Sequence, residues 1–96
     1  MYFLKITGFI PENKQVEFEQ TIRLLKSQMP KSCAGFNTSR DITDKENYQF
    51  IAYWDKLPYL QSFTHSSTCS MLLGAFRTLG KLKENTHGKM NELKTR

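Results

Sequence analysis

The run Tyr48-Gln49-Phe50-Ile51-Ala52-Tyr53-Trp54 constrains this chain most, because it reads as a β-strand that is apolar on both sides. Successive side chains of a strand point to opposite faces. Tyr48, Phe50, Ala52 and Trp54 therefore share one face, and Gln49, Ile51 and Tyr53 share the other. An antiparallel sheet with one solvated face alternates cleanly between apolar and polar residues. This strand does not, so both of its faces need cover. The segment from Asp55 to Pro58 ends it, and Ile42 to Asn47 before it is a polar connection of hairpin length.

The rest of the chain supplies the elements to pack against it. Tyr2 to Phe9 is a second strand rich in aromatic and β-branched residues, with Tyr2, Leu4 and Ile6 on one face and Phe3, Lys5, Thr7 and Phe9 on the other. Pro11 punctuates, and Asn13 stands where a helix N-cap is expected. Phe18, Ile22, Leu25 and Met29 then recur at helical spacing, leaving Glu17, Glu19, Arg23 and Lys26 on other faces. Pro30 stops this helix, because the residue before a proline is pushed out of helical geometry. Cys33 to Asp41 is a further strand, with Ala34, Phe36 and Thr38 facing one way and Gly35, Asn37 and Ser39 the other. Gly35 weakens it. Pro58 suits a first helical turn, and Tyr59, Leu60 and Phe63 make a short amphipathic piece. Ser66 or Ser67 caps a longer piece with Leu72, Ala75, Phe76 and Leu79 in one stripe and Cys69 at its edge. Gly80 is expected as a left-handed C-cap. A last strand is expected around Thr86 to Leu93, on grounds of fold more than of local residues.

Strand, helix, strand, strand, helix, strand is the split βαβ order. It predicts an α+β, ferredoxin-like βαββαβ domain over residues 1–96, a four-stranded antiparallel sheet with its helices on one face. The other face would then leave Tyr and Phe side chains in water. A second copy packed on that sheet face is the economical cover, so a homodimer is expected.

Composition excludes several classes. Hydrophobic residues at 39% and charged residues at 24% are ordinary for a globular protein. No stretch approaches the roughly 20 apolar residues of a membrane helix. The N-terminal MYFLKITGF is too short and too alternating for a signal peptide, so the cytoplasm is the default location. Cys33 and Cys69 lack CxxC or CxxxH spacing, which leaves zinc unsupported and reduced thiols expected. The net charge of +5 is concentrated at the end. Residues 77–96 hold Arg77, Lys81, Lys83, Lys89, Lys94 and Arg96 against Glu84 and Glu92. That segment has no aromatic residue, so residues 81–96 are expected to be an edge strand and solvated tail, with no nucleic acid as partner.

The run Glu46 to Asp55 with its aromatic-Trp-acid ending, then Leu60, Phe63 and Ser66, then Met71-Leu72-Leu73, resembles the antibiotic biosynthesis monooxygenase family. Gly35-Phe36 and an early helix beginning near Glu12 resemble it as well, and together these cover most of residues 2–80. The resemblance implies a dimeric α+β barrel with a ligand pocket between the sheet and the helices of each subunit. It implies oxygenases of aromatic or quinol substrates that use no cofactor, haem-degrading enzymes, or proteins without an established activity. Many members carry histidines near the positions of Phe63 and Thr68, whereas this chain has His65, in another register. The haem-degrading branch uses an Asn, a Trp and a His where this chain has Ile6 or Thr7, Phe63 and Leu73, so haem degradation is not expected.

Two functions follow as expectations. One is a small monooxygenase without a prosthetic group, with His65 moving a proton, Arg40 holding an anionic group, and Trp54, Phe50, Phe63, Tyr48 and Asn37 contacting the substrate. The other is a non-catalytic dimeric module that binds a ligand or a partner. Each candidate has a plainer structural role: Trp54 a core residue, His65 a capping group, Arg40 a solvated hairpin residue. No metal cluster, phosphate loop or Ser-His-Asp set is visible. Oxygenation of an electron-rich anion needs only an apolar pocket, a proton acceptor and a group that steadies the anion, so it leaves little trace in sequence.

Overall fold

Alternation at the N-terminus makes β1 (Tyr2–Phe9), and the computed structural model describes residues 1–90. A 3-10 turn (Glu12–Lys14) leads into α1 (Gln15–Gln28), followed by β2 (Gly35–Arg40), β3 (Asn47–Trp54), α2 (Leu57–Thr64), α3 (Ser67–Leu79) and β4 (Lys81–Lys89). The sheet order is β2-β3-β1-β4, and every neighbouring pair is antiparallel. The ferredoxin-like α+β order expected from the sequence is present.

Local chemistry sets most boundaries. Met29 is extended at φ −64° and ψ 136°, so α1 stops before Pro30. The Ser66 hydroxyl accepts from the Cys69 backbone N–H at 3.1 Å and caps α3, while Pro58 sits in the first turn of α2. Three expectations are corrected. Asn13 lies inside the 3-10 turn, and α1 begins at Gln15 without a side-chain cap. Gly80 is extended at φ −165° rather than left-handed. There α3 turns straight into β4, and a Cβ would overlap the Phe9 carbonyl oxygen and come 2.9 Å from its carbon. The last strand begins at Lys81, earlier than expected, and residues 91–93 of the expected strand lie outside the described residues. Its register against β1 shifts between Thr7 and Gly8, where Lys83 is the extra residue of a bulge.

The core fills the space between sheet and helices. Leu4 and Ile6 of β1 and Tyr48, Phe50, Ala52 and Trp54 of β3 meet Phe18, Ile22 and Leu25 of α1, Leu60 and Phe63 of α2, and Leu72 and Phe76 of α3. The Phe18 ring stands 4.8 Å from both Tyr48 and Phe76. The helices pack mainly on β1, β3 and β4, which leaves the inner face of β2 as the wall of a cleft. The outer face is mixed. Phe3 and Ile51 are shielded by their neighbours and Tyr53 is half-buried, while Lys5 pairs with Glu84 at 3.7 Å beside them. No helix among the described residues is long and apolar enough to cross a membrane.

Candidate functional site

Arg40 ends β2 directly opposite Tyr48 of β3, and both side chains lie on the face that meets the helices. The guanidinium carbon stands 5.2 Å from the Tyr48 ring centroid, close enough for a cation–π contact. Helix α1 brings a third group. The Tyr48 hydroxyl donates to Glu19 Oε2 at 2.7 Å, and Arg40 Nη1 lies 3.8 Å from the same oxygen. Burial, with the hydrogen bond to Glu19 as second cause, pushes the Tyr48 hydroxyl up to about 12. It therefore stays a neutral donor at physiological pH.

Gln15 fixes the direction of Arg40. Its Nε2 donates to the carbonyls of Ile10 at 3.1 Å and Lys45 at 3.4 Å, which turns Oε1 toward Arg40. Arg40 Nη2 donates to that oxygen at 2.8 Å, and Arg40 Nε donates to the Lys45 carbonyl at 3.0 Å. Nη1 keeps only the longer contact with Glu19. A planar guanidinium held at two corners can still offer the third to a ligand.

Two hollows meet at Arg40. One, of about 200 Å³, opens between α1 and β2 and is lined by Glu19, Ile22, Arg23, Lys26, Thr38, Arg40 and Tyr48. The Thr38 hydroxyl oxygen is buried there and has no hydrogen-bond partner among the described residues. The other, of about 350 Å³, lies on the outer face among Thr7, Ser39, Asp41, Asn47, Gln49 and Lys83. Lys83 donates to Asn47 Oδ1 at 2.5 Å on its rim.

The remaining candidates are scattered. Trp54 and Phe50 have no exposure, Phe63 has 3%, and all three belong to the core. The Trp54 indole stacks at a tilt on Phe63, with centroids 5.1 Å apart. Asn37 pairs with Ile51 on the outer face, away from Tyr48. His65 is exposed at the end of α2, its Nδ1 2.8 Å from the Gln61 carbonyl oxygen, and lines neither hollow. Of the seven, the structure brings together Arg40 and Tyr48. It adds Glu19, which helical spacing places only off the apolar stripe. The signal available was the spacing of Glu19, Arg23 and Lys26, which puts one row of charges beside the apolar stripe. Among the described residues no three His, Cys, Asp or Glu side chains gather as metal ligands.

No protein-family model and no curated protein matches the sequence. Solved structures do match the fold. A provisionally named antibiotic biosynthesis monooxygenase from Deinococcus radiodurans superposes with a TM-score of 0.77 at 15% identity, over 93% of this chain and 91% of that one. A second antibiotic biosynthesis monooxygenase gives a TM-score of 0.73 at 17% identity, over 92% and 94% of the two chains. A conserved protein from Methanosarcina mazei gives 0.74 at 12% identity, over 91% and 87%. The chain thus has the four-stranded α+β fold of proteins named antibiotic biosynthesis monooxygenases, in agreement with the resemblance read along residues 2–80.

Proposed function

We propose that this protein is a small cytoplasmic oxygenase that takes an aromatic, quinol-like molecule into the cleft between α1 and β2 and uses no prosthetic group. The Glu19–Tyr48–Arg40 cluster at the mouth of that cleft carries the reading, because it sets a carboxylate acceptor beside a directed cation. The names of the structural neighbours support it. A quinol hydroxyl donating to Glu19 would lose its proton there, and Arg40 would hold the oxygen anion left behind. The anion is then the reductant. Overall, one quinol and one dioxygen give one hydroxyquinone and one water. One oxygen atom forms a new bond to ring carbon, and the other leaves as water with two hydrogens from the substrate. The ring supplies all four electrons, so the balance needs no further reductant.

The test is oxygen uptake with a panel of one-ring and two-ring quinols. Wild type should consume oxygen in step with quinol, and Arg40→Ala and Glu19→Gln should each lower the rate by about a hundredfold. Uptake no faster than without protein, or unchanged in both variants, overturns the oxygenase. A second reading, the non-catalytic module, is favoured by the closed packing around Phe50 and Trp54. It predicts saturable binding in the cleft with no oxygen uptake.

We also infer a homodimer through the outer sheet face. Gly35, Tyr53, Phe3 and Gly88 form one row across all four strands, two aromatics in the middle and a glycine at each edge. A second copy related by a two-fold axis can set its aromatics over those glycines. Sedimentation at micromolar concentration should give twice the chain mass, and Tyr53→Lys should give the monomer. A wild-type monomer at that concentration overturns it.

A further inference from the structure

We infer that the occupant of the cleft between α1 and β2 is a monoanionic acid on a single aromatic ring, bound by its carboxylate. This deepens the proposed function, since it rests on that cleft being where substrate sits. Charge is unevenly answered along the cleft. Glu19 and Arg40 answer one another at 3.8 Å, whereas Arg23 and Lys26, one and two turns along the same face of α1, have no ion-pair or hydrogen-bond partner among the described residues. The cleft therefore keeps two uncompensated cations. A neutral quinol would leave both as they are.

The second observation is the Thr38 hydroxyl, whose oxygen is buried in the wall without a partner. A buried hydroxyl without a hydrogen bond is unfavourable, and turned into the cleft by rotation about its Cα–Cβ bond it would meet, in a carboxylate oxygen, the strongest acceptor a small organic ligand can offer. Size and polarity narrow the class further. A closed cavity of about 150 Å³ holds a benzene ring, so the cleft's about 200 Å³ suits one ring with small substituents. Ile22, 5% exposed, gives that ring an apolar surface. Phosphate or another compact inorganic anion would gain nothing from it. Glu19 then faces the far edge of the ring, where a hydroxyl can donate to it. The single carboxylate of the cleft thus selects a phenolic group at one end, while the cations select the acid at the other.

The probes are gentisate, a quinol ring bearing one carboxylate, and its uncharged amide, titrated into the full chain by calorimetry and followed by backbone-amide NMR. Gentisate should bind at least about tenfold more tightly than the amide, with shifts centred on residues 19–26 and 38–40. The double variant Arg23→Gln, Lys26→Gln should lose about tenfold in gentisate affinity and none for the amide. Both positions are exposed, so the variant should fold as wild type does. Thr38→Val should weaken gentisate severalfold. Equal affinity for acid and amide, shifts on the outer face near Thr7 and Gln49, or a double variant that binds gentisate as wild type does would each overturn the inference. Oxygen uptake in the same samples separates the two claims. Cation-dependent gentisate binding without uptake leaves this inference standing and removes the oxygenase. Quinol-dependent uptake together with equal affinity for gentisate and its amide does the reverse.

Discussion

Gly80→Ala should cost this fold about 3 kcal/mol and lower its melting midpoint by roughly 12–24 °C. The cause is contact, not backbone angle. At φ −165° the backbone of Gly80 is extended and open to any residue. A Cβ at this position, however, would overlap the Phe9 carbonyl oxygen and lie 3.0 Å from Ile10 Cδ1. The oxygen belongs to the main chain of β1, which is held on one side by β3 and on the other by β4. Neither strand can yield without breaking the Phe9–Lys81 pairing that starts β4. Relief must then come from rebuilding the link between α3 and the edge strand. The control is Gly74→Ala, inside α3, where a Cβ meets nothing within 4 Å. Alanine there removes a helix-interior glycine and should raise stability by about 0.5–1 kcal/mol. Thermal unfolding by circular dichroism reads both. A Gly80→Ala protein melting with wild type would show that the close approach between Gly80 and Phe9 is not what the fold requires.

The same junction explains which elements were legible in the sequence. The bounds of β1 follow from alternation, the end of α1 from Pro30 and the start of α3 from the Ser66 cap, since each is written in a few neighbouring residues. Strand β4 is not written in its own residues. Lys81–Lys89 is mostly exposed and polar, and it is a strand because β1 offers it a free edge. The start of α1 is displaced from Asn13 for a related reason, because the Gln15 amide is tied to the carbonyls of Ile10 and Lys45. Those contacts exist only once the chain has folded. The candidate site shows the same division. Arg40 and Tyr48 could be nominated as a strand-end cation and an inward aromatic, but Glu19 meets Tyr48 from 29 positions away. Its partner is fixed by how α1 lies on the sheet, and helical periodicity alone does not set that placement. His65 stands apart from the cluster for the opposite reason. Its type suits proton transfer, yet its position at the end of α2 spends Nδ1 on the Gln61 carbonyl.

Trp54→Ala should lower the stability of the fold by about 3–5 kcal/mol, and Trp54→Phe by much less. Trp54 ends β3 opposite Tyr2, has no exposure, and packs against Phe63. Truncating a buried aromatic to alanine costs about 3–5 kcal/mol, against a total of about 5–14 kcal/mol for a chain of this length. Phenylalanine keeps the ring and most of the contact with Phe63. It also removes an indole N–H that is buried without a partner among the described residues, and the loss of that penalty offsets part of the lost volume. The expected net cost is therefore about 1–2 kcal/mol, read by urea unfolding. This pair also decides between two roles for the residue. If Trp54 lined a ligand pocket, its N–H would be the natural donor to the ligand, and Trp54→Phe would raise KM for quinol while the fold stayed intact. Buried as it is, away from the Glu19–Arg40 cleft, it should leave KM and kcat of quinol-dependent oxygen uptake unchanged in the phenylalanine variant. A raised KM with normal stability would move the ligand from the α1–β2 cleft to the α2 side of the sheet, where Phe63 and Trp54 meet.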